Sequence, residues 1–391
     1  MSRRIAVAFS NMLDPGWLAG GQYLFNLLYA VKSCNLNLET VLRITPGTPE
    51  ENYGLLNGLI DRVIELPQPL PKWIFKLPHF IRSRITPMFL YEDSELRKHH
   101  IDAQFMLQSP GNVRQVPTAT WIPDFQYLYF PDFFTRDELE TRSRIYREAA
   151  LRTQIVVLSS EHALNDLKKI APDAIARARV LRFVAQVPSE IYESDPSQVA
   201  DHYHLPPKFF YLPNQLWQHK NHRIVLQALA IACEQIPEIT VICTGGTYDH
   251  RNPSYLDVIL NDIATLGLQS NFRMLGRIPR SAIYPLMRGS LAVLQPSLFE
   301  GWSTTVEEVK SVGKTIILSD IPVHREQDPP RALYFDPHNP QGLADHMSRL
   351  HVEKVPGADI VLEHQARADL PARTEKFAQT FDKIMREMVQ T

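Results

Sequence analysis

Cysteine, net charge and long apolar runs are all scarce in this sequence, and each scarcity closes off a class of protein. The three cysteines, Cys34, Cys233 and Cys243, are widely spaced and lack the spacing of metal ligands or of a disulfide framework. They read as small buried hydrophobes in a reduced chain. A formal charge of −2 over 391 residues supplies no global basic field for nucleic acid. No apolar run approaches the roughly 18 residues needed to span a bilayer, and Met1-Ser2-Arg3-Arg4 followed by a short strand does not read as a signal peptide. Motifs are missing too. The histidines have no H-E-x-x-H spacing, and neither His219 nor His222 pairs with a nearby cysteine, so no zinc site is expected. Without a G-x-S-x-G elbow, a Walker lysine or a G-x-G-x-x-G fingerprint, the hydrolase, kinase and nicotinamide readings lose their anchors. What is present, 44% hydrophobic and 21% charged residues, suits a soluble globular chain long enough for two domains.

Strand-like and helix-like segments alternate from end to end, which predicts parallel α/β architecture. Ile5–Phe9 reads as a first buried strand, followed by a loop over 11–21 and a helix over 22–33 with Leu24, Leu27, Leu28 and Val31 at helical spacing. Further strands are expected at 40–44, 103–107, 118–122, 155–158 and 179–184. Around 186–207 the rhythm lapses into proline-rich polar sequence, the best candidate for an interdomain linker. It then restarts with strands at 208–212, 239–244, 271–275, 291–295 and 315–318, and helices at 222–235 and 254–266. A last helix is expected over about 373–390, after Pro371. The chain reads as two successive doubly wound units: a first domain over 1–190 joined by the final helix, a linker over 191–207, and a second domain over 208–372.

The most informative segment is Pro296-Ser-Leu-Phe-Glu-Gly-Trp-Ser-Thr-Thr-Val-Glu-Glu308. It follows the apolar run Leu291–Gln295, and Thr304-x-x-Glu307 fits a capping box, so a helix is expected to start at Thr304. A strand, a short loop and a helix N-terminus together favour an anion, because unpaired amides and the positive dipole end converge there. Glu300 and Glu308 bracket that end. Carboxylates accept from sugar hydroxyls, so the implied ligand has an anionic middle and polyol ends, the shape of a nucleotide sugar. Glutamates early in helices also serve simply to favour the dipole, and Glu307 reads that way.

Three other places carry chemistry. Gly20-Gly21, at the end of the first loop, would let backbone approach a phosphate, although such pairs are often turns. Residues 211–222 follow the first strand of the second unit and therefore lie at the rim where such folds bind ligands. Asn214, Gln215, Trp217, His219, Lys220, Asn221 and His222 crowd polar groups there, and Lys220 reads either as a diphosphate's counter-charge or as a solvated loop lysine. Asp124, after the strand ending at Ile122, either contacts a sugar or a proton or caps the next segment. A fourth stretch, 72–86, sets four cations and no acid among bulky apolar residues, which suits contact with anionic lipid as well as an ordinary core.

Taken together these positions resemble the retaining glycosyltransferases of family 4, which have the GT-B fold of two Rossmann-like domains facing a central cleft. The family's E-x7-E motif matches Glu300 and Glu308, preceded by Pro296, Ser297 and Phe299 and followed by Gly313. By that resemblance Glu300 faces the donor sugar, Glu308 holds the ribose hydroxyls, and the backbone of Ser303, Thr304, Thr305 and Val306 binds diphosphate. Lys220 matches the donor-phosphate lysine, Gly20 and Gly21 the glycine-rich loop, and Arg277 and Ile278 the stretch beside the nucleotide base, with Asn214 and Gln215 lining the donor site. The family usually has an arginine where Gln215 stands, and a histidine where Pro123-Asp124 falls. Asn214-Gln215-x-Trp217-x-His219-Lys220-Asn221-His222 and Asp124-Phe125-Gln126 are similar to a bacterial polysaccharide branch.

The resemblance implies a cytosolic enzyme that needs no cofactor or metal. It would move a hexose from a nucleotide diphosphate sugar to a hydroxyl of a glycan or lipid-linked acceptor, with retention, in surface polysaccharide synthesis. Lys220, Glu300 and Asp124 are the candidate catalytic residues, and 72–86 is the candidate for peripheral membrane contact. A non-hydrolysing nucleotide-sugar epimerase and a non-catalytic nucleotide-sugar binding protein are the alternatives.

Overall fold

The computed structural model describes residues 3–10, 18–66, 87–107 and 115–390. The chain forms two compact units. The first comprises Met1–Tyr129, Thr135–Val184 and Ala372–Thr391, and the second Phe130–Phe134 and Ala185–Pro371.

The first unit is a parallel sheet of seven strands: β1 (Ile5–Ser10), β2 (Leu38–Ile44), β3 (Arg62–Glu65), β4 (Ala103–Leu107), β5 (Thr118–Ile122), β6 (Ile155–Leu158) and β7 (Ala178–Val180). Their order is β3-β2-β1-β4-β5-β6-β7, with Val7 beside both Thr40 and Ala103. β1 is buried throughout, as a central strand covered on both faces must be. Phe9, Phe105 and Phe381 pack together as one aromatic cluster. Tyr23 stacks on Trp121, whose indole donates to Ser159 Oγ at 2.9 Å. The strand expected at 179–184 is shorter, because β7 is an edge strand with only three partners on β6.

The second unit has a parallel six-stranded sheet: β8 (Phe210–Leu212), β9 (Val241–Cys243), β10 (Phe272–Met274), β11 (Val293–Gln295), β12 (Ile316–Ser319) and β13 (Ala332–Phe335), in the order β10-β9-β8-β11-β12-β13. One side of its core gathers Leu226, Leu229, Ile259, Leu294 and Met347, and the other Tyr211, Ile242, Met287, Val306 and Val309. The stretch expected as a linker is instead part of this unit. Residues 190–193 and 197–202 are helical, and the Arg288 guanidinium donates to the carbonyls of Ile191, Tyr192 and Ser194. The final helix also begins earlier than expected. It runs Ile360–Gln390 with Pro371 inside it, its first part belonging to the second unit and the rest to the first.

Each strand order reverses once, between β1 and β4 and between β8 and β11. Ligands of open α/β sheets bind outside the carboxyl ends of strands at such a reversal. In the first unit the segments leaving β1 and β4 are 11–17 and 108–114, outside the described residues. In the second unit they are the loops starting at Pro213 and Pro296, and both are described.

Candidate functional site

The loop leaving β8 is held by close backbone approach. Leu216 N–H donates to Gly246 at 2.8 Å. Gly245 has φ +135°, and a Cβ there would lie 2.6 Å from the Asn214 carbonyl oxygen, so only glycine fits. The loop ends in a tight turn over Gln218–Lys220, and Asn221, in the left-handed region at φ 56°, turns the chain into the helix His222–Cys233. Leu298 N–H donates to the His219 carbonyl at 2.8 Å, which ties this loop to the one leaving β11.

Side chains complete the connection through Gln295, fully buried at the end of β11. Its Oε1 accepts from Asn214 Nδ2 at 2.9 Å, and its Nε2 donates to Glu300 Oε1 at 2.8 Å, Ser303 Oγ at 3.0 Å and Ser297 Oγ at 3.2 Å. Lys220 Nζ approaches the same Glu300 oxygen at 2.6 Å. Lys220 and Glu300, given separate tasks by the sequence, are thus brought together as an ion pair, with side-chain exposures of 17% and 10%. Lys220 is therefore no solvated loop lysine. Its ammonium has three donors, and Glu300 takes one of them.

His324 lies within the electrostatic reach of that pair. Burial pushes its imidazole down to about 4, Glu300 drawing it up and Lys220 pushing it down. Its Nδ1 is 2.8 Å from the Ser319 carbonyl oxygen. A carbonyl can only accept, so Nδ1 carries the proton and Nε2 is the acceptor; Nε2 is buried without a partner among the described residues. His219 is likewise held neutral, well below the ordinary histidine range, by burial and by the charges of Lys220, Arg251 and His222. The buried pair Asp249–Arg251 supports it from the loop after β9.

The helix after β11 spans Thr304–Val312, but its cap is Ser303 and not Thr304: Ser303 Oγ accepts from Val306 N–H. The expected box needs Thr304 as the cap; with Thr304 already inside the helix, Glu307 N–H donates instead to the Ser303 carbonyl at 3.2 Å, while Ser303 N–H donates to Gln327 Oε1 and Gln327 Nε2 donates to Ser303 O, each at 3.0 Å. Glu307 accepts from that same Nε2 at 3.1 Å and pairs with Lys310. A helix leaves its first amides without intrahelical partners; that of Val306 is taken by Ser303, and those of Thr304 and Thr305 follow directly on Ser303, which Gln295 joins to Glu300 and so to Lys220. One turn on, Glu308 is buried, and burial raises its carboxyl above the ordinary range while Arg280 opposes the shift. Arg280 Nη2 donates to Glu308 Oε1 at 3.0 Å and to Tyr284 OH at 2.7 Å.

The other expected site residues are placed as follows. Ile278 packs with Leu275 against the core of the second unit, and Arg277 lays its guanidinium about 3.1 Å from where a Gly246 Cβ would stand. Gln215 sits on the loop pressed against Gly245, and its carbonyl accepts from Trp217 N–H. Asp124, in the first unit, accepts from Gln126 N–H at 3.0 Å, the local turn-capping alternative. Gly20 and Gly21 are not at a loop end: the helix Leu18–Ser33 begins before them and includes both. The basic stretch 72–86 lies outside the described residues. Among the described residues no helix is long and apolar enough to cross a membrane, and no His/Cys/Asp/Glu cluster is suited to a metal.

Sequence reading missed Gln295, Gln327, His324 and Arg280. Gln295 alone carried a signal, being a polar residue closing an apolar strand run. The others are polar residues on helices, indistinguishable in sequence from solvated ones.

Solved structures with this architecture place the chain in the GT-B fold, two Rossmann-like α/β units. HepE from Anabaena in complex with UDP and glucose superposes with a TM-score of 0.69 at 16% identity, covering 98% of this chain and 100% of that one. Sucrose-phosphate synthase from Thermosynechococcus elongatus gives 0.65 at 15%, covering 99% and 98%. A UDP-forming α,α-trehalose-phosphate synthase from Burkholderia xenovorans gives 0.66 at 12%, covering all of both chains. Residues 199–359, which hold the loops leaving β8 and β11 and the helix Thr304–Val312, match the family model for glycosyl transferases group 1. No curated protein matches the chain significantly.

Proposed function

We propose that this protein is a retaining glycosyltransferase that moves a hexose from a nucleotide diphosphate sugar to a hydroxyl of a glycan or glycolipid. The observation that carries the reading is the Asn214–Gln295–Glu300–Lys220 network at the β8/β11 reversal, set against the N-terminus of the helix holding Glu308. The family match over this unit and neighbours solved with UDP support it.

In this reading the diphosphate lies on the amides of Thr304 and Thr305, with Lys220 supplying positive charge without a metal. Gln215 carries no charge, so Lys220 and the helix end take the main electrostatic task. Ser303 and Gln327 fix the helix start, and Glu308 accepts from the ribose hydroxyls beside Arg277 and Ile278. Glu300, held by Gln295, faces the sugar. As the anomeric carbon–oxygen bond breaks, the electron pair passes to the departing phosphate, which also takes the proton of the attacking hydroxyl on the same face of the ring. Stabilising that leaving charge with preorganised groups is worth several kcal/mol, of the order of 3 per well-placed donor. We place the enzyme in the cytoplasm, in surface polysaccharide synthesis, with 72–86 as its contact with anionic lipid.

A panel of UDP-, GDP- and ADP-sugars tests the class. Slow release of one nucleoside diphosphate, made faster by a hydroxyl acceptor, is expected. Isomerised donor would point to an epimerase, and binding without turnover to a sensor.

A further inference from the structure

The donor-site reading assigns Glu308 a ligand but leaves open how a carboxylate so deeply buried is kept ready for one. Glu308 is 6% exposed. Burial penalises its charged form, so without compensation it would take up a proton and lose half its capacity as an acceptor. Three groups from neighbouring elements face it. Tyr211 on β8 and Tyr284 on the helix Arg280–Gly289 feel its charge, and burial holds both phenols neutral far above neutral pH. Among the described residues only Arg280 opposes the burial. Its guanidinium is fixed in turn: it donates to Tyr284 OH and lies 5.3 Å from the centre of that ring, while Tyr284 OH donates to the Gln186 carbonyl at 3.2 Å. A side chain tied at two points loses little further freedom in gripping a third.

We propose that Arg280 is a positioning residue of the donor site: tethered to Tyr284, it holds Glu308 as an oriented carboxylate with one oxygen engaged, so that the other is presented to the ribose hydroxyls of a nucleoside diphosphate. The inference rests on the donor-site reading above. It also gives this chain an arginine serving the donor although Gln215 stands at the usual arginine's place, and the service is to the ribose end.

Titration calorimetry with UDP and GDP from about pH 5.5 to about pH 8.5, on wild type, Arg280→Met, Arg280→Lys and Glu308→Gln, tests it. Wild-type affinity for the nucleotide that binds should fall only modestly toward low pH, as the nucleotide's own terminal phosphate takes up a proton at about pH 6. Arg280→Met should bind roughly ten- to a hundredfold more weakly at pH 7, the loss of one charge-assisted contact. It should weaken further toward low pH, by up to about tenfold per unit, because its Glu308 titrates at a higher pH. Arg280→Lys should restore the wild-type profile at reduced affinity, and Glu308→Gln should be weak and follow only the nucleotide's own ionisation. Arg280→Met with the wild-type affinity and profile would overturn the proposal, as would a loss equal at every pH and no smaller in Arg280→Lys. Wild type binding neither nucleotide would overturn the donor-site reading itself, and this inference with it.

Discussion

Gln295→Glu changes one atom of a fully buried side chain and tests the network at its hub. The acceptor toward Asn214 survives, but the amide that donates to Glu300 at 2.8 Å becomes a carboxylate oxygen. Two carboxylates with charge centres roughly 4 Å apart repel by about 4 kcal/mol at an effective dielectric of 20. The pair has another course, which is to bind one proton. From a reference carboxyl near 4.3, that costs about 1.4 kcal/mol per pH unit, or about 4 kcal/mol at pH 7 and about 1 kcal/mol at pH 5. The two costs are close at pH 7, and protonation is clearly the cheaper at lower pH. The folded variant therefore binds a proton that its unfolded chain releases, and stability falls as pH rises from about 5 to about 7. Urea denaturation of variant and wild type across that range should show the gap widening from about 1 toward at most about 4 kcal/mol, the Lys220 ammonium 2.6 Å from Glu300 offsetting part of the repulsion. A gap constant with pH, or none, would refute the claim that Gln295 and Glu300 share a buried contact.

Other expectations follow from single contacts. Glu308→Ala should weaken UDP or GDP binding roughly ten- to a hundredfold by calorimetry; unchanged affinity would remove Glu308 from the site. Gly245→Ala should cost about 2–3 kcal/mol in thermal or urea unfolding, because φ +135° is strained for alanine and the new Cβ would press on the Asn214 carbonyl. Lys314 donates to the carbonyls of Arg288 and Gly357 at 2.9 and 2.7 Å, and burial pushes its ammonium from 10.5 down to about 7. Between those values the unfolded chain binds more protons, so stability should rise by about 1.5 kcal/mol from about pH 7 to about pH 8.5. Lys314→Met should lack that rise, and parallel pH curves for the two proteins would contradict it.

How much was legible in the sequence depends on what encoded it. The central strands β4, β5 and β6 fall at the expected residues because buried apolar runs mark them. The short run Ala332–Phe335 of edge strand β13 is apolar but only partly buried, and edge strand β3, with Arg62 and Glu65 at its ends, carries no such mark. The same holds for the helix Pro340–Glu353, whose apolar residues are interleaved with polar ones. The helix starts at Thr304 as expected, but its cap was misjudged by one residue because both Ser303 and Thr304 can cap, and Gln327, far along the chain, holds Ser303. Glu300, Glu308 and Lys220 were singled out from local pattern. That Lys220 grips Glu300, 80 positions away, and that Arg280 grips Glu308 are consequences of strand order, which local pattern does not carry.

The central claim is that a nucleoside diphosphate sits at the β8/β11 reversal on the start of the helix Thr304–Val312. Amide hydrogen exchange with and without the nucleoside diphosphate released in the donor panel tests it most directly. Protection should concentrate in 213–222, 275–280 and 303–309, and should fall sharply in Glu308→Ala at a nucleotide concentration that just saturates the wild type. A nucleotide that binds while leaving those segments unprotected would contradict the account.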